Sequence, residues 1–430
     1  VGRSRGAARR RKQGAALGLA LAAGAAAVFG VLRTEPARLA EAIGVARPPG
    51  LSADPVPGPS RVDYARLEAR IVKLMRDEPD VVGFAIGTVE NGRVRFVKGY
   101  GETLAGSGDP VTPDTVFRWG SVSKGVAAAL VVKLAEEGRL SLDRPVADFE
   151  TTLRLPGEAG RVTVADLLSH RVGIVRNAWD DRLEQGEDPR VLRAAMGGLP
   201  PFCPPATCYA YQNVAFAAAT EIVEGTTGRR YAAVARERLF EPLGMTSASV
   251  DRAGLQAARS WARPHRVGRV PAVVNDVYYG VPAAGGVNAS IRDLVRWMRA
   301  QMGDAPDVLS PAALGAMHMA RVRTPPYGRR SPVDRALADA AYGLGWRSFT
   351  YAGRRLVGHR GWVDGYGALV LFDPADRSGI VMLWNSNRHR AAKLQLEFFD
   401  DLYGLPPTDW LGLDAPPLAA APESGAAADR

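Results

Sequence analysis

Residues 119–125 read "WGSVSKG", and the serine and lysine three positions apart decide how the rest of the chain is read. Only six of the 55 basic residues are lysines. One of them, Lys124, heads the alanine-rich run "KGVAAALVVKLAEEGRL", which predicts a helix closed by Gly138. Residues i and i+3 at a helix start share a face, with Cβ atoms about 5–6 Å apart, so Ser121 and Lys124 meet. The helix N-terminus favours negative charge developing on the serine oxygen. A lysine amine becomes a base once burial in an apolar pocket lowers its pKa. Alone, the pattern fits a helix cap beside a solvated lysine equally well.

Two further patterns change that balance. In "YAYQN", Tyr211 and Asn213 form Y-x-N. A tyrosine beside a lysine ammonium can share its proton and relay it to a leaving group, although by itself the pair also describes a buried tyrosine and a turn asparagine. In "GHRGWVDG", His359, Arg360 and Gly361 end a predicted strand. A glycine on an edge strand admits a substrate backbone, and the following N–H, from Trp362, then forms an oxyanion hole with the N–H of Ser121. Taken alone, a surface hairpin explains these residues too. All three patterns, once each and in the order S-x-x-K, Y-x-N, H-x-G, have a chance expectation of about 0.005.

With these residues in place, the chain resembles the serine β-lactamase and penicillin-binding superfamily, in its class C-like branch. That branch includes D-Ala-D-Ala carboxypeptidases, D-aminopeptidases and family VIII esterases. The similarity runs from about Val62 to Tyr403 through "FRWGSVSKG", "EEGRLSLDRPV", "VADLLSHRVGI", "YAYQN", "FEPLGM" and "GHRGW". The resemblance implies that Ser121 is the acylated nucleophile, Lys124 its partner, Tyr211 the proton relay and Asn213 a donor to the substrate amide. It implies that His359, Arg360, Gly361 and Trp362 face the substrate, and that His170 is structural. It also implies a β-lactamase/transpeptidase-like α/β fold, an antiparallel sheet flanked by helices. His359 replaces the lysine of the β-lactamases, and Arg360 stands where threonine or serine is usual. Small esters are therefore expected to be better substrates than penicillins. A carboxylesterase and a penicillin-binding sensor that does not turn over are the alternatives. No G-x-S-x-G occurs, which argues against an α/β-hydrolase triad.

Composition is compatible with this reading: 430 residues, 47% hydrophobic and 23% charged, can bury a large core. The net charge of +10 does not indicate nucleic acid, because Arg3, Arg5, Arg9, Arg10, Arg11 and Lys12 supply six positive charges at one end. No basic stripe interleaved with aromatics follows. That basic head precedes the uncharged run "QGAALGLALAAGAAAVFGVL", residues 13–32. Such a layout reads as an export signal with a site near Ala25-Ala26-Ala27, or as a retained membrane anchor. Either places the remainder outside the cytoplasm. There, Cys203 and Cys208 in "FCPPATC" are expected to form a small disulfide loop. No zinc spacing appears, and neither a metal nor another cofactor is expected. The substrate is expected to be a small or peptide-like acyl compound.

The domain reading follows from these pieces. Residues 1–33 form the head and apolar segment, and 34–60 a Pro/Gly-rich linker. Residues 61–405 form the hydrolase domain, with a mostly helical insertion at about 150–285. Residues 406–430 form an Ala/Pro-rich tail, disordered from about Asp414. Within the domain, "VVGFAIGTV" and "RVRFVKG" pair through "ENG". "RRLVGH", "YGALVLFD" and "GIVMLWN" are three more strands. Helices are predicted at about Tyr64–Arg76, after Ser290 as N-cap, and over "AAKLQLEFFDDLYG". Strands at both ends with helices between predict one discontinuous α/β domain.

Overall fold

The structure, a computed structural model, describes residues 50–157, 159–325 and 331–414. Its frame is one antiparallel sheet. The strands, in chain order, are β1 (Gly83–Glu90), β2 (Arg93–Gly101), β3 (Val116–Arg118), β4 (His265–Arg266), β5 (Val270–Pro271) and β6 (Asn288–Ser290). They continue with β7 (Val322–Arg323), β8 (Ala338–Tyr342), β9 (Arg347–Tyr351), β10 (Arg354–Val363), β11 (Tyr366–Asp373) and β12 (Ser378–Trp384). Eight of them form the main sheet in the order β2-β1-β12-β11-β10-β9-β8-β7, while β3 pairs with β6 and β4 with β5. The first hairpin of the chain therefore docks against its last strand, with Phe84 opposite Trp384.

Strand alternation sorts the apolar side chains onto two faces. In β11, Ala368, Val370 and Phe372 enter one core and Leu369 and Leu371 the other. In β12, Val381 and Leu383 separate from Ile380 and Met382 in the same way. Both faces are covered, so these strands read as almost continuous apolar runs. One face carries the helices Tyr64–Asp77 and Leu394–Tyr403, through Leu67, Ile71, Leu74, Phe398 and Phe399. The other carries the helices Ser123–Glu136 and Ile291–Gln301. The Ser123 helix is buried along nearly its whole length, hence its alanines and valines. Ser290 caps the Ile291 helix by accepting from Asp293 N–H. Gly138 ends the Ser123 helix region at φ +69°.

The predicted fold class and the five longer strands match the structure. The three strands β7–β9 were not anticipated. Two boundaries shift. From Gly50 the supposed linker lies on the domain: Ala53 is buried, and Val56 N–H donates to Val94 C=O at 2.9 Å. Residues 406–414 also belong to the domain, because Leu411 and Leu413 are buried and Arg70 pairs with Asp414 at 2.8 Å. The insertion consists of short helices such as Val164–Leu168, Asp180–Glu184 and Ala218–Thr227. Among the described residues no helix is long and apolar enough to cross a membrane. The run 13–32 and the residues beyond Asp414 lie outside those described.

Candidate active site

The chain enters the Ser123 helix through a tight turn, with Gly120 in the left-handed region at φ +50°. That turn presses Ser121 against β10. A Cβ on Gly361 would lie 1.9 Å from Trp119 O and 3.1 Å from Ser121 N, and one on Gly120 would lie 2.6 Å from Trp362 N. Both positions therefore need glycine. β10 pairs with β9 only as far as Gly358, while its pairing with β11 continues to Val363. The edge of residues 359–363 is thus left for the serine turn, which packs beside the Trp362 amide.

Lys124 is completely buried. Its Nζ lies 3.1 Å from Ser121 Oγ, 2.7 Å from Asn213 Oδ1 and 2.9 Å from the carbonyl oxygen of Ala284. Burial drives its pKa down to about 7, partly opposed by the charge of Asp180. Three acceptors surround Nζ, so an ammonium donates to all three, whereas a neutral amine satisfies Asn213 and Ala284 with its two N–H groups and turns its lone pair to the serine hydroxyl. From the other side the Tyr211 hydroxyl donates to Ser121 Oγ at 2.7 Å. The predicted Ser121, Lys124, Tyr211 and Asn213 are thus brought into one hydrogen-bonded group.

Asp180 extends that group and was missed in the sequence. Its Oδ2 accepts from Asn213 Nδ2 at 2.8 Å, which turns Asn213 Oδ1 toward Lys124. Burial raises its own pKa, against the pull of Asn213 and Lys124. In "WDDRLEQ" it reads as one acid on a charged helix face, so no pattern marked it. The Ala284 carbonyl, a backbone group, leaves no sequence signal at all.

His170 holds the Y-x-N segment in place, as the resemblance implied. Its Nδ1 accepts from Gln212 N–H at 3.2 Å, and its carbonyl from Ala210 N–H at 2.9 Å. The disulfide Cys203–Cys208 is present. Its loop docks on the same region: Phe202 N–H donates to Gly173 C=O at 2.8 Å and Ala206 N–H to Arg171 C=O at 2.9 Å.

His359, Arg360, Gly361 and Trp362 line the same cleft as Ser121, a cavity of about 1120 Å³. His359 has protein partners on both nitrogens. Nδ1 lies 2.7 Å from Arg360 O, which can only accept, so Nδ1 carries the proton and Nε2 accepts from the Tyr342 hydroxyl at 2.9 Å. Burial, then the charges of Lys124 and Arg347, push its pKa down to about 3, so the ring is neutral. Arg360 pairs with Asp334 at 2.9 Å. Trp362 is 57% exposed at the cleft rim.

Fold and geometry together define the class as a serine hydrolase. The beta-lactamase family model matches residues 68–398, and the chain belongs to that family. It is 30% identical to the penicillin-binding protein 4 of Amycolatopsis lactamdurans, over 83% of this chain and 97% of that one. It is also 30% identical to the unguisins hydrolase ungD' of Aspergillus campestris, over 71% of this chain but only 59% of the fungal enzyme. Among solved structures, an octameric penicillin-binding protein homologue from Pyrococcus abyssi superposes with a TM-score of 0.74 at 25% identity, covering 82% of this chain and 80% of that one.

Proposed function

We propose that the chain is an acyl-transfer hydrolase that forms a covalent ester on Ser121 and cleaves esters or amides, peptide-like or β-lactam-like. The observation that carries this is Ser121 Oγ held between Lys124 Nζ at 3.1 Å and the Tyr211 hydroxyl at 2.7 Å. Oγ attacks the acyl carbon while Lys124 takes its proton, and the Ser121 and Trp362 N–H groups hold the oxyanion. Collapse of the tetrahedral intermediate breaks the bond to the leaving group, which receives a proton through Tyr211. Water then repeats the sequence on the acyl-enzyme and frees Ser121.

A neutral His359 and an Arg360 already paired with Asp334 favour the esterase form of this activity over β-lactam hydrolysis. An ester carbonyl needs the oxyanion hole, whereas a penicillin also needs its carboxylate held by a cation. We expect kcat/KM to be higher for p-nitrophenyl butyrate than for nitrocefin in the wild type. A wild-type preference for nitrocefin that collapses in Arg360→Thr would instead make Arg360 the carboxylate clamp. We also propose that the enzyme works outside the cytoplasm, anchored or secreted. The basic head followed by an apolar run, together with the Cys203–Cys208 bond, supports this reading.

A further inference from the structure

One stretch of β10 lacks a neighbouring strand on one side. β9 pairs with β10 as far as Gly358, and residues 359–363 continue against β11. Across an antiparallel ladder, the N–H and C=O of one residue point to one edge and those of the next residue to the other. The Arg360 carbonyl and the Trp362 amide therefore share an edge. The serine turn packs there, since a Cβ on Gly120 would lie 2.6 Å from Trp362 N. With β9 gone, side chains have to hold this edge.

Two of them do. His359 Nδ1 donates to the Arg360 carbonyl at 2.7 Å, and the Tyr342 hydroxyl donates to His359 Nε2 at 2.9 Å. Tyr342 is the last residue of β8, the strand beyond β9, so its hydroxyl spans the gap that β9 leaves. Both side chains are buried. The Tyr342 ring sits edge-on against His170, with centroids 4.8 Å apart, and beside Tyr209 at 5.6 Å. His170 in turn lies 4.3 Å from the ring of Tyr211. Tyr342 thus rests on the aromatic group that seats the relay and reaches the edge that packs on the nucleophile's turn. With both nitrogens committed, His359 keeps neither an N–H nor a lone pair for substrate. A buried acceptor without a partner is costly, so loss of the Tyr342 hydroxyl lets the ring turn and release the Arg360 carbonyl.

We propose that Tyr342 is a positioning residue: through His359 it fixes the free edge of β10, and with it the Trp362 amide, where that amide meets the developing oxyanion. The last clause rests on the acyl-transfer reading; the strut itself does not.

The test has a spectroscopic arm and a turnover arm. In protein isotope-labelled at histidine and tryptophan, magnetic resonance should show wild-type His359 as the neutral ring protonated on Nδ1. In Tyr342→Phe that tautomer should be lost and the Trp362 backbone amide should shift; His359→Leu and Trp362→Phe assign the two signals. For turnover, kcat/KM is compared within each variant between p-nitrophenyl butyrate and its thiono analogue, whose sulfur fits an oxyanion site poorly. General damage cancels in that ratio. In Tyr342→Phe, kcat/KM for the oxygen ester should fall about tenfold or more, and the oxygen-to-sulfur ratio about threefold or more. His359→Leu should do the same, and the double variant no more than either, because the two side chains act as one unit. His359→Leu decides the matter where melting shows that Tyr342→Phe does not fold. A wild-type oxygen-to-sulfur ratio in either folded variant, or an unmoved Trp362 amide, overturns the proposal. A displaced amide in a protein whose wild type hydrolyses neither ester supports the strut and rejects the acyl-transfer reading. Ester hydrolysis with amide and ratio both unchanged in the variants rejects the strut while that reading stands.

Discussion

Lys124 sets the pH at which the site works. As an ammonium it has every N–H committed and no lone pair for Ser121; as a neutral amine it can take the serine proton. With its pKa lowered by burial to about 7, kcat/KM should rise with pH through a limb near that value. Asp180 raises the Lys124 pKa by its charge, so Asp180→Asn should move the limb to lower pH. A limb that stays in place, or moves up, would contradict this electrostatic role. The same residues mark what the sequence discloses at this scale. Ser121, Lys124, Tyr211 and Asn213 were legible because each belongs to a short motif whose spacing follows from helix or turn geometry. Asp180, Tyr342 and the Ala284 carbonyl were not, because they reach the site from distant segments and no spacing rule binds them to it. His359 does line the cleft, but its neutral state depends on burial and on the charge of Lys124, which only the fold supplies.

At the scale of elements, the long strands announced themselves through apolar runs between turn residues. β7 has two residues and β8 reads "ADAAY", too short and too rich in alanine for a period-two signal. β9 follows the Gly-rich turn after Tyr342 and carries Arg347 and Ser348 buried, so polarity disguised it. The disulfide loop is the element most directly coupled to the chemistry. Phe202, Ala206 and Ala210 donate to carbonyls of residues 170–173, and Ala210 immediately precedes Tyr211. Reduction of Cys203–Cys208 should therefore lower kcat severalfold through Tyr211 while leaving overall helicity intact by circular dichroism. Unchanged turnover in protein shown by mass to be fully reduced would separate the loop from the relay.

For the molecule as a whole, the two ends of the domain are packed together. Arg70, in the Tyr64–Asp77 helix, pairs with Glu397 at 2.8 Å in the Leu394–Tyr403 helix and reaches Asp409 and Asp414 beyond it. Stopping the chain after Leu405 removes buried Leu411 and Leu413, at about 1.5–3 kcal/mol for each side chain. The Tm should fall by roughly 5 °C or more; an unchanged Tm would show that the segment is dispensable. This closure was hidden in the sequence because the segment is proline-rich and has no periodicity, whereas the sheet and its flanking helices followed from alternation and caps. What the whole architecture delivers is one activated hydroxyl. Ser121 lines the cleft, while Ser123, two residues on, is buried and accepts from Val287 N–H at 3.0 Å. The most direct measurement is peptide mapping after brief exposure to a fluorophosphonate. The adduct should fall on Ser121 alone and disappear in Lys124→Ala. An adduct on Ser123, or on another serine with Ser121 unmodified, would contradict the assignment.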